Sequence, residues 1–215
     1  MSAYAPTART RLHRRPARGT YDKAVVHAIL DEALFCHLAF AVEGQPIGLP
    51  TTFVRDDETL FVHGSAASRM MRALATELPV CLTVTLLDGL VLARSAFHHS
   101  MNYRSVVVLG IAYDVVDPNE KRRALSKLID KVSPGRSAHV RAPNDKELGA
   151  TSVLALPIEE VSAKVRTGPP IDDEVDMAVR VWAGVVPVSL RAACACPDGP
   201  DLAVEQPPLP GGVRG

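Results

Sequence analysis

The sequence has no excess of either charge: 24 lysines and arginines balance 24 aspartates and glutamates across 215 residues. No global field draws the chain to nucleic acid or to an anionic lipid surface, so any anion site has to be local. The four cysteines, Cys36, Cys81, Cys194 and Cys196, form no pair of metal-spaced doublets, and no metal site is expected. No segment reaches the roughly 18 apolar residues of a membrane span, and no apolar signal-peptide core stands near the N-terminus. No strand–helix–strand unit carries a GxGxxG, which argues against a doubly wound dinucleotide fold. There is no internal repeat.

What is present is a chain long enough for one sizeable core, 47% hydrophobic and 22% charged. Cys36 and Cys81 fall in apolar runs, as reduced buried thiols do, and a cytoplasmic location is expected. Residues 1–19 hold Arg9, Arg11, Arg14, Arg15 and Arg18 with no acid among them, a basic arm broken by Pro6 and Pro16. Residues 20–190 read as one domain. From 191 to 215 the chain is rich in proline and glycine and is expected to be disordered.

Within the domain the period switches repeatedly. Thr20 is positioned to cap a helix over Tyr21 to Leu34, after which Cys36–Val42, Gln45–Arg55 and Thr59–His63 alternate as strands. Glu43-Gly44 and Asp56-Asp57-Glu58 are turn signals between them. A helix opens near Ser68 and runs to about Glu77. Val80–Leu87 and Leu90–Phe97 suggest a hairpin across Asp88-Gly89, followed by a β-rich run from Tyr103 to Val116. Asp117 and Pro118 start a helix to about Lys131. A polar connection, 136–149, precedes a last strand pair, Ser152–Pro157 and Val161–Arg166. Many antiparallel strands with inserted helices predict a split or closed β-barrel of the α+β class.

Three constellations bear chemistry. In His63-Gly64-Ser65-Ala66-Ala67-Ser68-Arg69-Met70 a strand turns into a helix. Unpaired N–H groups, two hydroxyls and a guanidinium make a pocket for phosphate there, or an ordinary capped turn. Phe97 to Ser105 packs His98, His99, Ser100, Asn102, Tyr103, Arg104 and Ser105 into one corner between apolar strands. Alternation sends Asn102 and Arg104 one way, Tyr103 and Ser105 the other. In the third, Lys164 and Arg166 share a strand face suited to an anion. The acids from Asp172 to Asp176 form a solvated helix start, and Trp182 is expected to pack in the core.

The order of "CHLAF", "GLPTTFVRDDETLFVHGSAASR", "FHHSMNYRSVVVLG", "SAKVRTG" and "VWAGVVP" resembles the flavin-binding split-barrel proteins related to pyridoxamine 5'-phosphate oxidase. It looks most like the branch with the nitroimidazole-resistance reductases. The resemblance spans about Arg11 to Pro187. It implies a six-stranded split barrel and a homodimer with FMN at the subunit interface. Ser68-Arg69-Met70 aligns with the oxidase's phosphate-binding Ser-Arg-Lys, the second cation being replaced by methionine. Losing it removes a charge-assisted contact of roughly 1.5–3 kcal/mol unless Arg72 or a partner residue substitutes.

By the same similarity Pro50-Thr51-Thr52-Phe53 runs along the flavin ring, His63-Gly64 precedes the phosphate turn, and the 99–105 segment reaches the flavin of the neighbouring subunit. Lys164, Arg166 and Trp182 complete the implied cofactor residues. The residues by which the oxidase grips pyridoxal phosphate have no clear match. The implied activity is an FMN-dependent oxidoreductase passing electrons from a nicotinamide or similar donor to a small organic acceptor. His98 or His99 would be the proton donor. The alternative is a flavin or haem sensor without rapid turnover, with His63, His98 or His99 as an axial ligand.

Overall fold

In the computed structural model, which describes residues 2–199 and 208–215, the strands and α-helices keep most of the expected elements in the expected order and add short ones between them. They are β1 (Gly19–Thr20), α1 (Lys23–Glu32), β2 (Phe35–Val42), β3 (Gln45–Asp56), β4 (Thr59–Ser65), α2 (Arg69–Leu74), β5 (Pro79–Leu92) and β6 (Ser100–Ile111). Then come β7 (Tyr113–Asp114), α3 (Pro118–Val132), α4 (Asp145–Ala150), β8 (Thr151–Pro157), β9 (Glu160–Arg166), β10 (Gly184–Pro187), β11 (Leu190–Arg191) and β12 (Val213–Arg214).

The main sheet runs β1-β9-β6-β5-β2-β3-β4-β8-β7, with β10 paired to β5. β8 and β9 stand on opposite sides of this order, yet only residues 158–159 separate them in the chain. A flat sheet cannot satisfy both facts, so the sheet curls into an antiparallel split barrel whose slit lies between β8 and β9. At Gly110 of β6 a Cβ would come within 2.9 Å of Leu156 Cδ1 on β8, which shows how tightly the wall turns in on itself.

Alternation builds the core. Along β2, Cys36, Leu38 and Phe40 point inward while Phe35, His37 and Ala39 point out. The inner residues join Leu60, Leu82, Val84, Val106 and Val108 in the barrel interior. β4 and β8 are buried on both faces because α3 lays Ala124 and Leu128 over Phe61, Val153 and Ala155. Lys131 at the end of α3 donates to the Leu30 carbonyl (2.8 Å) and the Asp31 carbonyl (2.5 Å). Carbonyls at the end of α1 that lack a helical partner are satisfied in this way. Burial lowers that ammonium to about 8, and it sits 5.0 Å from the centre of the Phe53 ring.

Several expectations are corrected. Asp22, not Thr20, caps α1, accepting from Val25 N–H at 3.1 Å, because Thr20 is drawn into β1 opposite Ala163. The hairpin expected at Asp88-Gly89 is absent. β5 continues through it with an irregularity between Leu87 and Gly89, since the Asp88 carboxylate binds Arg104 and β10 covers Gly89, where a Cβ would lie 2.9 Å from Val185 Cγ1. The 136–149 connection contains α4, started by a capping box between Asn144 and Glu147. Trp182, expected in the core, is 64% exposed, with its ring resting against Gly184.

The ends of the chain lie on the barrel. Tyr4 is buried and donates to Glu58 at 2.7 Å, and the Tyr21 hydroxyl donates to the Thr10 carbonyl at 2.9 Å. The tail expected to be disordered is described at 191–199 and 208–215, where β12 pairs in parallel with β11; residues 200–207 lie outside the described residues.

Leu82 is fully buried among the inner strands. Leu82→Ala is expected to cost about 2–5 kcal/mol through lost burial and the remaining cavity, measured as a lower urea midpoint with an unchanged denaturant slope.

Candidate functional site

The turn after β4 takes its shape from a glycine and two serines. A Cβ at Gly64 would meet Met71 Cγ at 3.2 Å, so only glycine lets α2 close onto the strand end without displacement. The Ser68 hydroxyl accepts from Met71 N–H at 3.2 Å and caps α2; Ser65 Oγ accepts from Ala67 N–H at 3.3 Å. Each hydroxyl keeps its own hydrogen to donate elsewhere. Arg69 is exposed beside them. Among the described residues neither Arg69 nor Arg72 meets a carboxylate. Met70 packs against the barrel interior, which explains an apolar residue where the oxidase pattern has lysine.

Just before this turn, His63 is half-buried and its Nδ1 is sealed from solvent with no partner. Burial holds the imidazole below its ordinary value, because a charged ring would lose hydration without gaining a counter-ion. On β3, Pro50 and Thr52 are exposed while Phe53 is fully buried in the core. That strand therefore offers Pro50 and Thr52 to a ligand, and Phe53 as support behind them.

Two cavities gather residues distant in sequence. The larger, about 900 Å³, lies between the end of α1, β2, β5, β6 and the β11–β12 pair. Leu34, Phe35, Leu86, Leu87 and Leu190 give it an apolar lining, and the outward side of β2 sends His37 into it. Arg104 closes one side, held by Asp88 (2.7 and 2.9 Å) and by Glu32 (2.5 and 2.9 Å). These two carboxylates hold its guanidinium above its ordinary value. Arg104 is thus committed to its ion pairs and shapes the cavity wall.

The smaller cavity, about 470 Å³, lies under the N-terminal arm. Tyr103 and Ser105 on β6 stand opposite Arg166 and Lys164 on β9, and Gly19 on β1 opposite Lys164. This register brings the arm's Arg14, Arg15 and Arg18 over Lys164, Arg166, His98, His99 and Ser100. Arg166 donates to Asn102 Oδ1, to the Gly168 carbonyl (3.0 Å) and to the Pro169 carbonyl (3.1 Å). Its Nε is buried without a partner, and burial together with the Arg18 charge holds it below the usual guanidinium range.

Orientation of the two histidines follows from their partners. A carbonyl only accepts, so His99 Nδ1, 2.9 Å from the Ser95 carbonyl, carries the hydrogen and leaves Nε2 to exchange a proton. His98 Nε2 lies 3.2 Å from Asp173 Oδ2 and donates to that carboxylate.

Of the residues singled out in sequence, His98, His99, Ser100, Tyr103, Lys164 and Arg166 share the smaller cavity, while Arg104 lines the larger. Pro50, Thr51, Thr52, Phe53 and the 63–70 turn line neither. The sequence pattern does not mark His37 or the arm's arginines as site residues. The signal for His37 was its outward place in an alternating strand; for the arginines it was their unrelieved positive charge.

The family described as Pyridoxamine 5'-phosphate oxidase matches residues 22–165. The chain belongs to that family. Its flavin-binding split-barrel fold recurs in solved structures. The flavocytochrome Anf3 from Azotobacter vinelandii is 41% identical over 95% of both chains, with a TM-score of 0.88. The FAD and heme binding protein from Mycobacterium smegmatis is 37% identical over 90% of this chain and 94% of its own, with a TM-score of 0.82. A putative 5-nitroimidazole antibiotic resistance protein from Bacteroides thetaiotaomicron is 24% identical over 68% of this chain and 86% of its own. With a TM-score of 0.57 it shares the fold. No curated protein sequence matches the chain.

His63 supplies a test of the interior next to the turn. A histidine held below its ordinary value binds its proton more readily in the unfolded chain, so its contribution to stability is present above about pH 6.5 and is lost as pH falls. The urea midpoint is expected to drop between pH 7.5 and pH 5. His63→Gln is expected to remove part of that drop, leaving the part due to His27, which burial also lowers.

Proposed function

We propose that the chain is a flavocytochrome-like redox protein, binding a flavin and a haem and working as a homodimer. The observation that carries this reading is His37 in the larger cavity. At about 900 Å³ the space lies in the range of small-molecule sites, roughly 300–1,000 Å³. A haem fits an apolar slot that offers an axial ligand, for which an imidazole serves, and cations that can meet its carboxylates. Phe35, Leu87 and Leu190, all exposed on this chain, supply the slot, His37 the imidazole, and Arg214 a cation on the lining. The relatives at 41% and 37% identity, named as a flavocytochrome and as a FAD and heme binding protein, support the pairing.

For the flavin, the Ser65, Ser68 and Arg69 turn and the exposed edge of Pro50 and Thr52 remain the proposed phosphate and ring contacts. The oxidase pattern suggests FMN; the Mycobacterium smegmatis relative, an FAD and heme binding protein, favours FAD, which we adopt. His37 and Pro50 are direct partners in the β2–β3 register, so the two proposed cofactor sites share neighbouring strands. When bound, a flavin accepts a hydride and a haem iron carries one electron at a time.

The chain's own residues set the surroundings of that chemistry. His99, oriented by the Ser95 carbonyl, presents Nε2 as a proton donor or acceptor in a role we assign to an oxidoreductase acting on a small organic acceptor, with a nicotinamide or similar donor. Exposed Phe35, Leu87, Leu90 and Met101 on β2, β5 and β6 support a second copy as the cover for this face. No helix among the described residues is long and apolar enough to cross a membrane. The free thiols of Cys36 and Cys81 support a cytoplasmic location.

His37→Ala is expected to abolish the haem absorbance band of the purified protein and to leave flavin content unchanged. An unaltered band would overturn the assignment of His37. Arg69→Ala is expected to weaken flavin binding by about 10-fold or more, since charge-assisted hydrogen bonds are worth about 1.5–3 kcal/mol. Fluorescence titration of the apoprotein with FAD and FMN measures the loss and shows which flavin is preferred.

A further inference from the structure

The smaller cavity is more basic than a structural role explains. Arg14, Arg15, Arg18, Lys164 and Arg166 face it against the carboxylate of Asp173, which already accepts from His98. Among the described residues Arg14, Arg15, Arg18 and Lys164 have no carboxylate partner. Gathering like charges in a walled cleft concentrates one sign of potential and raises the free energy of the unliganded chain. An anion relieves that repulsion. Arg166, 6% exposed and with a buried Nε that no acceptor meets, adds an unsatisfied donor on the wall.

Local structure fixes the arm over the cavity. Arg15 takes a left-handed conformation (φ 55°), which is unfavourable for a residue with a side chain and persists only where surrounding contacts hold it. It opens the short 3-10 turn Pro16–Arg18, closed by Arg18 N–H donating to the Arg15 carbonyl at 3.0 Å. At Gly19 a Cβ would collide with Leu12 Cδ1 and lie 3.2 Å from the Pro16 carbonyl, so a glycine suits the point where the arm enters β1. The arm's arginines are thereby pinned to the β9 edge.

We propose that this cavity binds the phosphate groups of a nucleotide, as a site separate from the turn at Ser65–Arg69. Four cations without carboxylate partners match a multiply charged anion better than a monocarboxylate. Phe97, 88% exposed at the rim, and Tyr103 offer aromatic faces on which a base can stack. At about 470 Å³ the cavity suits one nucleotide. The phosphate charge has two sources: the adenylate phosphate of a resident flavin dinucleotide whose other phosphate lies at the Ser65–Arg69 turn, or the diphosphate of a free nucleotide such as a reduced dinucleotide donor. The site rests on its own residues and stands whether or not a haem is bound.

The test is calorimetric titration of the full-length protein with ADP and with pyrophosphate, with and without its bound flavin. The wild type is compared with Arg14→Ala/Arg18→Ala, Lys164→Ala and Phe97→Ala. These changes lie at an exposed arm, a half-buried strand position and an exposed rim, and circular dichroism checks that each variant folds. If the site takes a free nucleotide, ADP binds the flavin-loaded wild type and the cation variants weaken it at least 10-fold. Phe97→Ala then weakens ADP but not pyrophosphate. If the site holds the flavin's own adenylate, ADP binds only after flavin removal, and the cation variants retain at least 10-fold less FAD while FMN affinity is unchanged. ADP that fails to bind either form, or equal ADP affinity and equal FAD retention in wild type and cation variants, overturns the proposal. Loss of the His37 reading would show in haem absorbance and leaves these titrations unaffected.

Discussion

Ile158 and Glu159 alone join two strands that the sheet order sets far apart, and this short link is the constraint from which the architecture follows. With β8 paired to β4 and β9 paired to β6, the chain has no length in which to cross an open sheet. The wall has to curl until the two edges meet. Curling creates the closed interior that buries Leu38, Leu60, Leu82 and Val108, and it leaves the outer face of β2, β5 and β6 as the surface on which sites are built. It also turns β9 outward at the slit, where β1 joins it and carries the arginine arm along.

Charge is distributed by this geometry rather than by composition. The chain is neutral overall, yet Arg104 sits between two carboxylates while the smaller cavity gathers cations almost alone. Adjacent residues on β6 serve opposite purposes: Arg104 is tied into the wall of one cavity, and Tyr103 lines the other. Pleating by itself accounts for that division, since successive side chains leave opposite faces of a strand. The two sites therefore share one strand without sharing residues.

Much of the fold was legible because period and punctuation agree. The alternation of "CHLAFAV" is the observed in-and-out pattern of β2. Glu43-Gly44 makes its turn with φ of 51° and 76°, as a tight hairpin between twisted strands requires. Asp117 with Pro118 opens α3, the Asp117 carboxylate accepting from Glu120 N–H at 2.7 Å. Where local signals failed, a distant partner had prevailed. Asp88-Gly89 has the composition of a turn but is held in a strand by Arg104 on one side and β10 on the other. Trp182 has the bulk of a core residue, yet lies outside a barrel already filled by smaller side chains.

The sequence alone determined most of the elements, their order, the antiparallel barrel class and a family resemblance, because these depend on hydrophobic period, turn chemistry and motif order along the chain. It also marked the residues of the 63–70 turn and the 97–105 corner as polar clusters in apolar surroundings. Only the tertiary structure decided which of them meet. The β6–β9 register and the folding back of the arm put arginines from residues 14–18 beside residues 164–166, and the outward face of β2 put His37 into a cavity closed by the far end of the chain. Contacts between segments more than a hundred residues apart are set by sheet closure and packing, which leave no periodic trace in either segment read alone.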